Sequence, residues 1–209
     1  MSLSRIRLIS VLALISWLAV GCAKKSVAPA PSQTQDGVAS WYGHPFDGRP
    51  TASGELYDME KMTAAHRTYP FGSVVRVHDL ATDKTTEVRI NDRGPFVQGR
   101  IIDLSHAAAQ AIGMPSIANV QLDVVSMPAT RGVDEFAVQV GAFTDRAQAE
   151  QMRAQMEKEY GTASLVLRPG DQTWRVLVGM QPTPESADAL AAKLDKEVPP
   201  AFVVRVDSE

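Results

Sequence analysis

TTEVRINDRGPFVQGRIIDLSHAAAQAIG, residues 85–113, decides how the first half of this chain folds. Val88 and Ile90 alternate with Glu87, Arg89 and Asn91, the period of a half-buried strand, and a polar turn follows at Asn91-Asp92-Arg93-Gly94-Pro95. Ile101 and Ile102 mark the next strand. Ser105 then stands where it can cap a short helix running to Ile112, with Gly113 at its C-terminal end. Working outward, Val74, Val75 and Val77 form a strand before this stretch, and Val120, Leu122 and Val124 form one after it. Ala81 to Lys84 reads as a hairpin turn. Many short strands with one small helix predict a closed barrel, which leaves no exposed sheet edge.

Beyond Met127 to Val133, a linker with Pro128 and Gly132, a repeat is visible: Phe136, Val138, Val140 and Gly141 return as Trp174, Val176, Val178 and Gly179, 38 residues later. Ala149, Met152, Met156 and Tyr160 share one face of a helix that Gly161 ends. Thr183 caps another helix, with Pro184 in its first position and Ala187, Leu190, Ala191 and Leu194 facing inward. With strands at Ser164 to Arg168 and Ala201 to Val206 the order is βαββαβ, a ferredoxin-like arrangement. The fold class is therefore mainly β followed by α+β.

The N-terminus reads as a leader. Arg5 and Arg7 precede an uncharged apolar run from Leu8 to Val20, too short to span a bilayer as a helix. Leu18-Ala-Val-Gly-Cys22 resembles a bacterial lipobox, which makes residues 1–21 a lipoprotein signal peptide and Cys22 the lipidated first residue of the mature protein. Cys22 is the only cysteine, so no disulfide can form within the chain. Ala23 follows it, and the resemblance to such lipoproteins implies, by their sorting rules, the outer membrane. Residues 22–35 have too little bulky apolar content to bury a core and are expected to be a flexible tether. The barrel is expected over 36–126, the linker over 127–133 and the second domain over 134–209.

Charge excludes one class of partner. Residues 36–133 carry nine Lys or Arg against eleven Asp or Glu, and residues 134–209 carry eight against thirteen. Neither part has the positive field of a nucleic-acid binder.

The candidate chemistry lies in polar turns. Glu55 and Asp92 are candidates for the acid and base that glycosidic cleavage needs; Asp92 could equally be a loop-fixing residue bonded to backbone amides or to Arg93 or Arg100. Asp103, within an apolar run, fits a partner for an arginine better. His66, beside Ala64 and Ala65, has the surroundings of a structural histidine, and His44, His78 and His106 show no metal-ligand spacing with it, so no zinc site is expected. Trp41 and Tyr42 suit either a core or a platform for a sugar ring. Gln139, between Val138 and Val140, fits a glycan contact on the sheet face, and fits an ordinary solvated glutamine better.

Ala39-Ser-Trp-Tyr-Gly43, Thr51-Ala-Ser-Gly-Glu55, Ala64-Ala-His66 with Pro70-Phe-Gly72, Asn91-Asp-Arg-Gly-Pro95 and Gly99-Arg-Ile-Ile-Asp-Leu-Ser105 together resemble the double-psi β-barrel of the rare lipoprotein A family, the septal-ring lytic transglycosylases. Residues 134–207 resemble the sporulation-related repeat domain that binds peptidoglycan. The resemblance implies a six-stranded double-psi barrel that cuts the bond between N-acetylmuramic acid and N-acetylglucosamine, leaving 1,6-anhydro ends. It implies Asp92 as the proton-transfer residue, with Glu55 and His66 setting its protonation and orienting the sugar. It implies support from Asp103, Arg93 and Arg100, and substrate contact from Tyr42 and Thr51. It implies no metal and no cofactor. It implies peptidoglycan strands, the membrane and division proteins as partners, and enrichment at the septum, where amidases strip stem peptides from the glycan. Two other functions fit the same residues: a wall-binding lipoprotein that does not cut, and an expansin-like loosening of glycan contacts.

Overall fold

The alternations of the first half become six strands: Thr34–Tyr42 (β1), Thr63–His66 (β2), Val74–Asp79 (β3), Thr85–Asp92 (β4), Arg100–Ser105 (β5) and Ile117–Ser126 (β6). The structure is a computed structural model that describes residues 34–129 and 134–207. The signal peptide, Cys22, the tether up to residue 33 and linker residues 130–133 lie outside the described residues. Thr34 and Gln35, which the composition assigns to the tether, are the first residues of β1.

The strands close into a barrel in the order β1-β5-β2-β4-β3-β6, with β6 returning to β1. Two neighbouring pairs, β1 with β5 and β2 with β4, are parallel, and the other four are antiparallel. Closure pairs every strand on both sides, which removes free edges. Val75, Val77, Val88, Ile90, Ile102, Leu104, Val120 and Leu122 fill the interior, each at most 1% exposed. Burying each is worth about 1.5–3 kcal/mol. The helix His106–Ala111 (α1) starts where expected: the Ser105 hydroxyl accepts a hydrogen bond from the Ala108 amide, and Gly113 has a positive φ of 67°. At the Ala81 to Lys84 hairpin the Asp79 carboxylate accepts from the amides of Ala81 and Thr82.

Two irregularities set which way side chains face. Ala64 and Ala65 on β2 oppose Ile90 and Asp92 on β4, so Asn91 is an extra residue that bulges out of the ladder. Val38 and Ala39 on β1 likewise oppose Arg100 and Ile102 on β5, with Ile101 as the extra residue. Register partners point to the same side of a sheet and successive residues to opposite sides. Ala64, Ile90 and Leu104 therefore face the core, whereas Ala65, Asp92 and Asp103 face outward. The bulge turns Asp92 outward although it stands only two residues beyond the core residue Ile90.

The second domain has the predicted βαββαβ order: Glu135–Phe143 (β7), Arg146–Tyr160 (α2), Ala163–Arg168 (β8), Thr173–Gln181 (β9), Pro184–Leu194 (α3) and Phe202–Val206 (β10). Its antiparallel sheet runs β10-β7-β9-β8. Asp145 and Thr183 cap the two helices, and Gly161 ends α2 in the left-handed conformation. Both helices cover one sheet face, where Met156, Ala149 and Leu194 pack against Val138, Val176 and Val178. The other face carries Ala137, Leu177 and Val204, and Phe96 of the barrel packs on it. Gln139 lies on this covered face opposite Leu177 and is 5% exposed, so the expectation of a solvated glutamine is overturned. Among the described residues no helix is long and apolar enough to cross a membrane.

Candidate active site

Register builds the site. Ala65 is the partner of Asp92 on one side and of Asp103 on the other, and Asp103 is in turn the partner of Ser40. Ser40, Asp103, Ala65 and Asp92 thus form one outward row across β1, β5, β2 and β4. With neighbouring strands about 4.8 Å apart, the backbones carrying the two aspartates are about 10 Å apart, and only a methyl group stands between them. All four residues wall a cleft of about 530 Å³, to which Tyr42, Thr51, Arg93 and Arg100 also contribute. The cleft is closed on its far side by the second domain, through Arg168, Gly170, Asp171 and Arg175.

The two carboxyls have different surroundings. Oδ1 of Asp92 accepts three N–H groups: the amides of Ala52 at 2.9 Å and Arg93 at 2.8 Å, and the Arg168 guanidinium at 2.7 Å. No described residue donates to Oδ2. Asp103 pairs with the Ser40 hydroxyl at 2.5 Å through Oδ1 and with Arg100 at 3.1 Å through Oδ2. Burial pushes the Asp103 carboxyl above its ordinary value, and the charge of Asp92 adds to this against the opposing pull of Ser40 and Arg100. Two carboxyls with unlike environments facing one cleft are the arrangement that separates an acid from a base.

Tyr42 supplies a third polar group. Its ring stacks on Tyr57 with centroids 4.2 Å apart, and its hydroxyl is buried without a hydrogen-bond partner among the described residues. Burial, with the nearby Asp92 charge, pushes the phenol far above its ordinary value, so it is a neutral donor. Thr51 is held under the cleft by its hydroxyl, which donates to the Glu55 carbonyl at 3.0 Å. This bond ties the Thr51 to Glu55 loop, and with it the Ala52 amide, to the site.

Glu55 and His66 do not wall this cleft. The Glu55 carboxylate makes a two-point ion pair with Arg89, at 2.7 and 2.8 Å, and accepts from Asn91 at 3.3 Å. The Arg89 hydrogen bonds hold it below the usual carboxylate range, which suits a clamp on the bulge beside Asp92 and not a proton donor. His66 follows Ala65 on β2 and so points to the opposite, inner side, as the partner of Ile102. Nδ1 accepts the amides of Thr68 and Tyr69, Nε2 meets Gln35 at 3.1 Å, and the ring stacks on Tyr69. It is 2% exposed, and burial pushes the ring well below the ordinary histidine range. The sequence pattern places these two with Asp92; alternation and the bulge separate them from it.

Arg93 is also structural. It donates to the carbonyls of His66 and Tyr69, lies over the Phe71 ring, and grips Asp207 of the second domain. Arg100 pairs with Asp103 and not with Asp92, the partner the sequence offered for it. Sequence reasoning missed Ser40, Ala65 and the whole wall from the second domain.

A domain profile described as "Lytic transglycolase" matches residues 34–124, and the profile of the SPOR domain matches residues 132–205. The chain is 35% identical over 206 aligned residues to the endolytic peptidoglycan transglycosylase RlpA of Campylobacter jejuni, covering 84% of this chain and 74% of that one. It is 53% identical over 96 residues to the protein of that name from Vibrio cholerae, and 56% identical over 91 residues to a probable one from Synechocystis. These matches cover 45% and 43% of this chain but only 36% and 28% of those two relatives.

Proposed function

Because the chain belongs to the rare lipoprotein A family, the RlpA proteins, we propose that its cleft is an endolytic peptidoglycan transglycosylase centre in which Asp92 and Asp103 move the protons. The observation that carries this is the outward row in which the two carboxyls flank Ala65 in one cleft.

The bond cut joins N-acetylmuramic acid to N-acetylglucosamine. Asp103, whose burial raises its proton affinity, gives a proton to the leaving glycosidic oxygen as the bond to the anomeric carbon breaks. The muramyl C6 hydroxyl oxygen bonds to that carbon, and its proton passes to the free Oδ2 of Asp92. Water enters no bond, and the proton returns to Asp103 through solvent. Tyr42 offers its unpaired hydroxyl to the sugar. Glu55 and His66 act through the fold: Glu55 fixes the bulge and His66 fixes the turn whose carbonyls hold Arg93.

The second domain, by its family, binds glycan, with peptide-stripped strands at the septum as its target. Lipidation of Cys22 would anchor the protein in the outer membrane, facing the periplasm, and division proteins are the partners this placement implies. Two glycan-binding units on one chain raise the substrate concentration at the barrel. Incubating the chain with sacculi and reading released ends by mass spectrometry tests the proposal. Anhydro-muramyl ends support it; reducing ends indicate a hydrolase; no release leaves a wall-binding protein.

A further inference from the structure

The barrel alone does not finish the cleft. The β8–β9 hairpin brings Arg168 to Asp92 Oδ1, and both side chains are largely buried, at 17% and 10% exposed. The hairpin is seated firmly. Arg168 and Arg175 lie over the Phe96 ring at 5.5 and 4.8 Å. Arg93 binds both Asp207 oxygens, at 2.8 and 2.5 Å, and the Arg205 amide donates to the Arg67 carbonyl at 2.9 Å. Gly170 sits so close to Pro50 that a methyl group there would overlap the Pro50 carbonyl oxygen.

We propose that Arg168 is a positioning residue of the cutting reaction, the third donor that fixes the Asp92 carboxylate with Oδ2 left for substrate, so that the second domain completes the centre as well as binding glycan. This rests on the role given above to Asp92. A latch that blocked the site would cover the oxygen the substrate needs. Arg168 instead shares the oxygen already held by two backbone amides, and the cleft beside it stays open. A guanidinium on a carboxylate is among the stronger hydrogen bonds available to a protein, and it fixes direction as well as distance.

The test uses the full chain on sacculi, with kcat, KM and sacculus binding measured separately. Arg168→Gln is expected to lower kcat by about ten- to hundredfold, the scale of one lost charge-assisted hydrogen bond, with KM and binding unchanged. Arg168→Lys, which keeps a charged donor, recovers part of the loss. Gly170→Ala, which pushes the hairpin off Pro50 while leaving Arg168 in the chain, lowers kcat in the same way. Hydrogen exchange at the Ala52 and Arg93 amides, the other two donors, speeds up in Arg168→Gln. An unchanged kcat in Arg168→Gln overturns the proposal, and a raised kcat overturns it in favour of a latch. Wild-type chain that releases no anhydro ends overturns the transglycosylase proposal itself, a result distinct from either.

Discussion

Asp92 and Asp103 are register partners of the same residue, Ala65, one through a parallel pair and the other through an antiparallel pair. Eleven positions of sequence separate them, yet the barrel sets their backbones about 10 Å apart on one face, the width of two strand spacings. If that pair does the chemistry, Asp92→Asn and Asp103→Asn should each reduce anhydro-end release by about a thousandfold or more, the scale of losing a general acid or base. Sacculus binding should survive through the second domain. Release by either variant within about tenfold of wild type would remove that carboxyl from the mechanism.

Arg100 offers a way to tune the acid without removing it. Its pairing lowers the Asp103 carboxyl, against the burial that raises it. An acid catalyst works while protonated, so rate falls on the alkaline side as Asp103 loses its proton. Arg100→Gln removes the lowering influence, so the alkaline limb of kcat should move to higher pH. A limb that stays in place or moves down argues against Asp103 as the donor.

Strand alternation and the 38-residue repeat made most of both domains legible in the sequence, including the Ser105 and Thr183 caps and the Gly113 and Gly161 stops. β2 showed no period because all four of its residues are buried. The site was harder to read, since the facing of Asp92 depends on one extra residue, Asn91, and nothing in the local pattern marks a bulge. That same step separates His66 from the carboxyls although it adjoins Ala65. Arg168 could not be found at all: its contact with Asp92 spans 76 positions and a domain boundary.

The Glu55–Arg89 clamp predicts an indirect effect. Glu55 holds Arg89 and Asn91, and its loop presents the Ala52 amide to Asp92. Glu55→Ala should lower kcat by about tenfold, the scale of one misplaced hydrogen bond, without changing the shape of the pH–rate curve. Glu55→Gln, which keeps the hydrogen-bonding shape, should recover part of it. If Glu55→Ala abolished an ionisation in the pH–rate curve, Glu55 would be transferring a proton itself.

Tyr42 separates stability from function. Its hydroxyl is buried with no partner among the described residues, so Tyr42→Phe removes an unsatisfied group and should leave the melting temperature equal or higher. If that hydroxyl donates to the sugar, the same variant loses about three- to tenfold in kcat/KM, near 1 kcal/mol for a neutral hydrogen bond. A variant of unchanged stability and unchanged kcat/KM would show that the phenol does not touch substrate.

Burial of His66 predicts a stability that declines in acid. In the unfolded chain it takes a proton near pH 6.5, whereas burial keeps it neutral in the fold to well below that. The unfolded state therefore binds the extra proton in the window between those two values, and stability must fall as pH drops through it, by up to about 1.4 kcal/mol per pH unit. Above about pH 6.5 both states are neutral and the contribution is complete. Denaturant midpoints measured from pH 7.5 to 5 should decline in the wild-type chain. His66→Asn can still accept the Thr68 and Tyr69 amides but takes no proton, so it should start less stable and decline less steeply. Parallel declines in the two proteins would assign the acid sensitivity to other groups.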